Sequence, residues 1–220
     1  MGVVMTQWFT SDLHFAHPHV AKLRGFEDYR EHDETIIRNL NKLVAPDDDL
    51  YVLGDISSGS KTSLNEALSL LHRLNVGRTH RVLILGNHDS TRLEAGKMRK
   101  FITEFSQVAL RGTTTIPSAG HVLLSHYPWA EHMNGSKRAD LSTNALDTHY
   151  KRLAPSIGFY NLLLHGHTHA TTPYEFKTAL LRQKVSPDYT QINIGLDAWD
   201  LKPVSEEQIE NLWLANLNKM

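Results

Sequence analysis

Short apolar runs recur along the chain at Trp8-Phe9, Leu50 to Leu53, Val82 to Leu85, Val122 to Leu124 and Leu162 to Leu164. Runs of this length, closed by glycine or polar residues, read as strands. Between them the spacing becomes helical. Residues 31–43 place Ile36, Ile37, Leu40 and Leu43 three and four apart. Ser63-Leu64-Asn65-Glu66 has the form of a capping box, which predicts a helix starting there with Leu64, Leu68, Leu71 and Leu74 on one side. Residues 91–105 predict another helix. Residues 205–217 predict the last, with Ile209, Leu212, Trp213 and Leu217 as its buried stripe. Such alternation predicts an α/β fold. After residue 105 the spacing is less regular, and strands near 108–116, 121–126, 161–165 and 190–195 predict a second, mixed sheet. Residues 130–157 are polar and read as an irregular excursion with one helix. No linker, repeat or low-complexity tract divides the chain, so residues 1–220 are expected to form one domain.

Each apolar run leads into a chemically specific block. The blocks are Asp12-Leu13-His14, Gly54-Asp55, Gly86-Asn87-His88-Asp89, Ser125-His126 and Gly166-His167-Thr168-His169. Ligands of open α/β sheets bind beyond the carboxyl ends of the strands, where these groups can converge. One D-x-H or H-x-H is weak evidence; five blocks in sequence are strong. Two divalent ions about 3.5–4 Å apart need a shared ligand, and only a carboxylate offers lone pairs to both. Asp55 is the candidate bridge, with Gly54 leaving room for a sharp turn. Asp12 and His14 fall on one side of an extended segment by its period of two, as do His167 and His169. His165 shares that phase. Oxygen and nitrogen donors without sulfur suit Mn, Fe, Co, Ni or Zn rather than calcium, with manganese the first expectation. Such ions bring bound water near neutral pKa, so no serine or cysteine nucleophile is required.

This order of blocks resembles the calcineurin-like metallophosphoesterase superfamily, whose pattern runs D-x-H, G-D, G-N-H-[ED], H and G-H-x-H. The resemblance extends from Asp12 to His169, roughly three quarters of the chain. Phe9 to His17 and Gly195-Leu-Asp-Ala-Trp-Asp are similar to the small bacterial and phage members. The resemblance implies a four-layer αββα sandwich of two mixed β-sheets flanked by helices. It also implies that Asp12, His14, Asp55 and His169 hold a first ion, and that Asp55, Asn87, His126 and His167 hold a second. His165 is thereby left a supporting or buried structural role, with a substrate contact as the alternative. The implied reaction is attack on a phosphoester by a metal-bridging hydroxide, with His88 as general acid at the leaving oxygen. Asp89 is expected to orient His88, or to cap the following helix. His17 is a candidate substrate contact, and His19 a weaker one. Tyr127, beside His126, either stacks on a base or packs the loop. Asp197 and Asp200 are expected to satisfy backbone or neighbouring groups. Asp147-Thr148-His149 repeats the D-x-H form without a preceding strand and is read as a decoy.

Composition narrows the reading. The 14 histidines exceed what a metal centre uses, and His32, His72, His80, His121, His132 and His149 are expected to be structural or exposed. There is no cysteine, which excludes disulfides, thiolate metal sites and cysteine nucleophiles. The net charge of −1 shows no basic excess for long nucleic acid, favouring a small phosphate ester or nucleotide. No apolar stretch approaches the ~20 residues of a membrane span, and Met1 to Thr6 fits the myristoylation pattern only formally. A soluble cytoplasmic protein is expected. Gly54-Asp55-Ile56-Ser57-Ser58-Gly59 lacks the Asp-Arg pair of protein phosphatases in this superfamily, removing an arginine suited to dianionic monoesters. Small phosphodiesters are therefore the expected substrates, cyclic nucleotides and the 2′,3′-cyclic ones first. The alternatives are a nuclease acting on DNA or RNA ends, a phosphomonoesterase, and, from another class, a catalytically inactive interaction scaffold.

Overall fold

Residues 5–89, 95–129, 153–156, 160–173 and 190–217 are described by the computed structural model of the chain. The first sheet gathers β1 (Gln7–Thr10), β2 (Asp49–Val52), β3 (Arg81–Ile84) and β4 (Gln107–Ala109) in parallel. A short β9 (Val204–Ser205) runs antiparallel to β1 at its edge, giving the order β4-β3-β2-β1-β9. The second sheet has the order β5-β6-β7-β8, from β5 (Gly112–Ile116), β6 (Gly120–Leu124), β7 (Leu162–His165) and β8 (Thr190–Asn193). Only its β5–β6 pair is antiparallel.

Side-chain alternation explains why the sheets stack. On β2, Leu50 and Val52 belong to one apolar cluster with Ile36, Leu40, Leu64, Leu71 and Phe101. These come from α2 (Tyr29–Leu43), α3 (Lys61–Leu71) and α4 (Ala95–Glu104), which cover that face. Phe9, Leu53 and Ile84 point the other way, into a second cluster with Val122, Leu124, Leu162, Leu164 and Ile192 of the opposing sheet. A strand buried on both faces needs an unbroken apolar run, as seen at 50–53. The last helix, α5 (Glu206–Leu217), adds Ile209 and Trp213 to this inter-sheet core. On the outer face of the second sheet, Leu123 and Leu163 pack with the fully buried Trp129. The fold is α/β, two mixed sheets flanked by helices, as the αββα expectation required.

Several expectations need correction. The strand expected over 108–116 is two strands in different sheets, since β4 continues the parallel ladder of the first. The helix assigned a start at Ser63 begins one turn earlier: Ser60 is its cap and accepts from the Ser63 amide at 3.1 Å. Leu43 ends α2 at the exposed limit of its stripe. A short α1 (Pro18–Leu23), with proline in its first turn, was not expected. Residues 90–94, all of 130–157 except 153–156, and the side chain of Leu217 lie outside the described residues, and with them His132 and Asp147-Thr148-His149. Among the described residues no helix is long and apolar enough to cross a membrane.

Candidate metal centre

β1 and β2 run in register from Gln7–Asp49 to Thr10–Val52, so they end together. Their pairing carries on into the loops, with Asp12 N–H on Gly54 O at 3.0 Å and His14 N–H on Asp55 O at 2.9 Å. The backbone there is not extended. Asp12, His14, Asp55, His167 and His169 all take the left-handed region, with φ of 59°, 46°, 55°, 69° and 48°. The common aim of Asp12 and His14 therefore comes from a repeated left-handed twist, not from a strand's period of two. Non-glycine residues are strained in this region, and such strain gathers at functional sites. Gly166 lets the second sheet's loop come close: a Cβ there would overlap Ser11 Oγ and Asp12 Oδ2. Instead the His167 N–H donates to Asp12 Oδ2 at 3.0 Å, joining the two sheets.

The side chains meet in two overlapping groups. Asp12 Oδ1 lies 3.9 Å from His14 Nε2 and 3.7 Å from His169 Nε2, while the two imidazole nitrogens are 3.2 Å apart. Asp55 Oδ2 is 3.8 Å from His14 Nε2 and 3.5 Å from His126 Nε2, placing it between the groups. Asn87 Oδ1 lies 2.9 Å from His126 Nε2 and 3.0 Å from His167 Nδ1. The seven expected ligands thus converge on one place from both sheets. Asp12 with His14 and His169, and Asp12 with Asp55 and His126, are spaced as groups that could hold a metal ion.

Ring tautomers agree with that use. The Nδ1–H of His126 donates to Leu53 O at 2.8 Å and that of His169 to Asp197 Oδ2 at 2.9 Å, turning each Nε2 lone pair inward. Burial, helped by His169, Arg24, His88 and His17, holds His14 well below the usual imidazole range, so its ring is neutral. Burial pushes the Asp55 carboxyl up to about 6, against the pull of His126 and with Asp89 and Asp12 alongside. Asp12 Oδ1 is buried with no hydrogen-bond donor among the described residues. A buried carboxylate oxygen without a donor is costly, and this one faces Nε2 of His14 and of His169. Such a donor set fits a divalent cation.

The neighbouring expectations fare unevenly. His88, with its side chain 36% exposed, sits at the lip with Nε2 4.0 Å from Asp55 Oδ2. Its Nδ1–H donates to Ser58 O at 3.0 Å. Asp89 does not touch that ring. Its two oxygens accept the amides of Asp55, Ile56 and Gly86 at 2.7, 3.0 and 2.9 Å, so the expected orienting carboxylate is a clamp on the ligand loops. Tyr127 is 4% exposed and packs edge-on against His126 and His167, which is the packing alternative rather than the base-stacking one. His17 is half-buried at the rim, its ring centre 5.2 Å from that of His14 and 6.0 Å from that of His88; His19 is exposed beside it. His165 is buried and bonds Gly166 O. His32 is buried, and His72 and His121 are exposed. His80 is half-buried against Asp49. Asp197 bonds His169 and Arg24, whereas Asp200 is exposed and lies 3.7 Å from Lys202. Arg24 and Asp33 were missed. Asp33 accepts the Ala16 amide at 2.8 Å from 17 residues away, and no local pattern announces such a contact.

Two stacked mixed sheets with carboxylates and imidazoles at their strand ends are the layout of a metal-dependent phosphoester hydrolase. The sequence matches the calcineurin-like phosphoesterase family over residues 5–171, and the chain belongs to that family. Metal-dependent hydrolysis of phosphoesters is the activity that membership carries. The gene 66 protein of Mycobacterium phage L5 is 32% identical over 93% of this chain and 92% of its own. The uncharacterized protein MJ1445 of Methanocaldococcus jannaschii is 28% identical over 93% of this chain and 89% of its own. The crystal structure of AQ665, a protein of unknown function from Aquifex aeolicus, is similar with a TM-score of 0.63 and 25% identity, over 95% of this chain and 100% of that one.

Proposed function

We propose that the protein hydrolyses small phosphodiesters at a two-metal centre, with cyclic nucleotides, and 2′,3′-cyclic ones first, as substrates. The observation that carries this reading is the placement of Asp55 between two sets of inward lone pairs, with His88 at the lip. Asp12, His14, Asp55 and His169 would hold one ion and Asp55, Asn87, His126 and His167 the other, manganese being the first metal to try. Bound there, the ions would take up phosphoryl charge and supply a nucleophile from water. The protein's own part is orientation and proton delivery. Asp89 fixes the Asp55 and Gly86 loops through three amides. Ser58 O holds the His88 ring by Nδ1–H, leaving Nε2 free to carry a proton to the leaving oxygen. His17 at the rim is placed to contact the substrate.

Charge supports a monoanionic substrate. Among the described residues, the arginine nearest the centre, Arg24, is 4% exposed and spent on Asp197, the Asp12 carbonyl and His32. Those bonds occupy Nε and both terminal nitrogens of its guanidinium. The test is kcat/KM of the Mn²⁺-loaded protein on bis-p-nitrophenyl phosphate and p-nitrophenyl phosphate, then on 2′,3′- and 3′,5′-cyclic nucleotides. The diester and the 2′,3′-cyclic compounds should lead. Preference for the monoester, or for long DNA over every small diester, would overturn the reading.

A further inference from the structure

Asp197 lies 26 residues beyond the end of the family match at residue 171, on a short 3-10 turn at Leu196–Ala198. That turn is held against the first motif: Ser11 bridges Gly195, and Leu196 N–H donates to Ser11 O at 3.2 Å. From there Asp197 Oδ2 accepts the Nδ1–H of His169 at 2.9 Å. Both carboxylate oxygens also accept from Arg24, Oδ1 from Nε at 3.0 Å and Oδ2 from Nη2 at 2.7 Å. The same Nη2 donates to the Asp12 carbonyl at 2.9 Å, and Nη1 donates to His32 Nε2 at 3.0 Å. His32 in turn donates to Asp33, whose other oxygen takes the Ala16 amide at 2.8 Å. A planar guanidinium is suited to such a junction, since its donors leave in fixed directions.

We propose that Arg24 and Asp197 are positioning residues for the first ion site, tying the backbone of Asp12 to the ring of His169. The proposal rests on the two-metal reading above. A carboxylate on Nδ1–H fixes the His169 tautomer and strengthens Nε2 as a ligand, as carboxylates behind metal-bound histidines do. Arg24 keeps that carboxylate in place by donating to both of its oxygens, from Nε and from Nη2. The arrangement spans residues 12, 24, 32, 169 and 197, so the segment after the family match completes a site the match itself does not close.

The test is Mn²⁺ binding by calorimetry on the full chain, beside the Tm of each protein in EDTA. Asp197→Asn keeps the volume and an acceptor but sets its amide donor against Arg24. It should weaken one of two Mn²⁺ sites by roughly 10–100-fold and leave the other unchanged. In a His169→Ala background the same change should cause no further loss, because groups acting as one unit are not additive. Arg24→Lys keeps the charge, loses the fork, and supplies the same readout if Asp197→Asn lowers the metal-free Tm. Unchanged affinity, equal weakening at both sites, or an undiminished effect without His169 would each overturn the proposal while leaving the metal reading intact. A parent protein that takes up no Mn²⁺ would overturn the metal reading and this inference together.

Discussion

Asp55 is the residue whose loss should reach furthest, because its carboxylate stands between both groups of candidate ligands. Asp55→Ala should abolish turnover and release most bound Mn²⁺, whereas Asn87→Ala should weaken mainly the second site. Metal analysis after dialysis checks both, and two tightly held ions in Asp55→Ala would reject the bridge. His88→Ala should retain metal yet turn over roughly 10²–10⁴-fold more slowly, the usual worth of a general acid. The loss should shrink for a p-nitrophenolate leaving group and grow for an alkoxide; equal losses would leave His88 a positioning role only. The candidate ligands were legible because each of their blocks follows an apolar run. Asp89 was not, since adjacency to His88 does not reveal which way a side chain leaves the backbone. The pairing of Arg24 with Asp197 was harder still, its partners being 173 residues apart.

At the scale of elements, the strands were legible because burial on two faces leaves a continuous apolar signature. Their ends were less so. The start of α3 was misplaced by one turn because Ser60 and Ser63 are both good caps, and only the structure shows which serine accepts from which amide. The sheet to which β4 belongs was hidden too, since Gln107, Val108 and Ala109 carry no mark of their partner strand. The loops after β2 and β3 depend on one carboxylate. Asp89→Ala would strand the amides of Asp55, Ile56 and Gly86 in a buried place. At about 1–3 kcal/mol for each unsatisfied group, the protein should lose more than about 3 kcal/mol in urea denaturation. Lost activity with unchanged stability would mean that the carboxylate acts in the chemistry instead.

Seen whole, the candidate centre joins two sheets: Asp12, His14, Asp55 and Asn87 follow strands of one, and His126, His167 and His169 follow strands of the other. Metal that binds only the folded arrangement should raise the Tm, by more as free Mn²⁺ exceeds Kd, and much less in Asp55→Ala. A thermal melt with and without EDTA checks this, and an equal rise in both proteins would place the stabilising ion elsewhere. The two-sheet architecture came from a resemblance, because hydrophobic periodicity assigns a face to each strand but not the layer it meets. The left-handed backbone at five of the seven candidate ligands has its own consequence. At about 1–2 kcal/mol for each such residue, the sum is a sizeable part of the roughly 5–15 kcal/mol by which folded domains persist. Glycine at these five positions would relieve the strain and abolish the ligands, so selection for chemistry and selection for durability oppose each other there. A lineage released from hydrolysis should therefore drift toward glycine at positions 14, 167 and 169 while its inter-sheet core stays apolar.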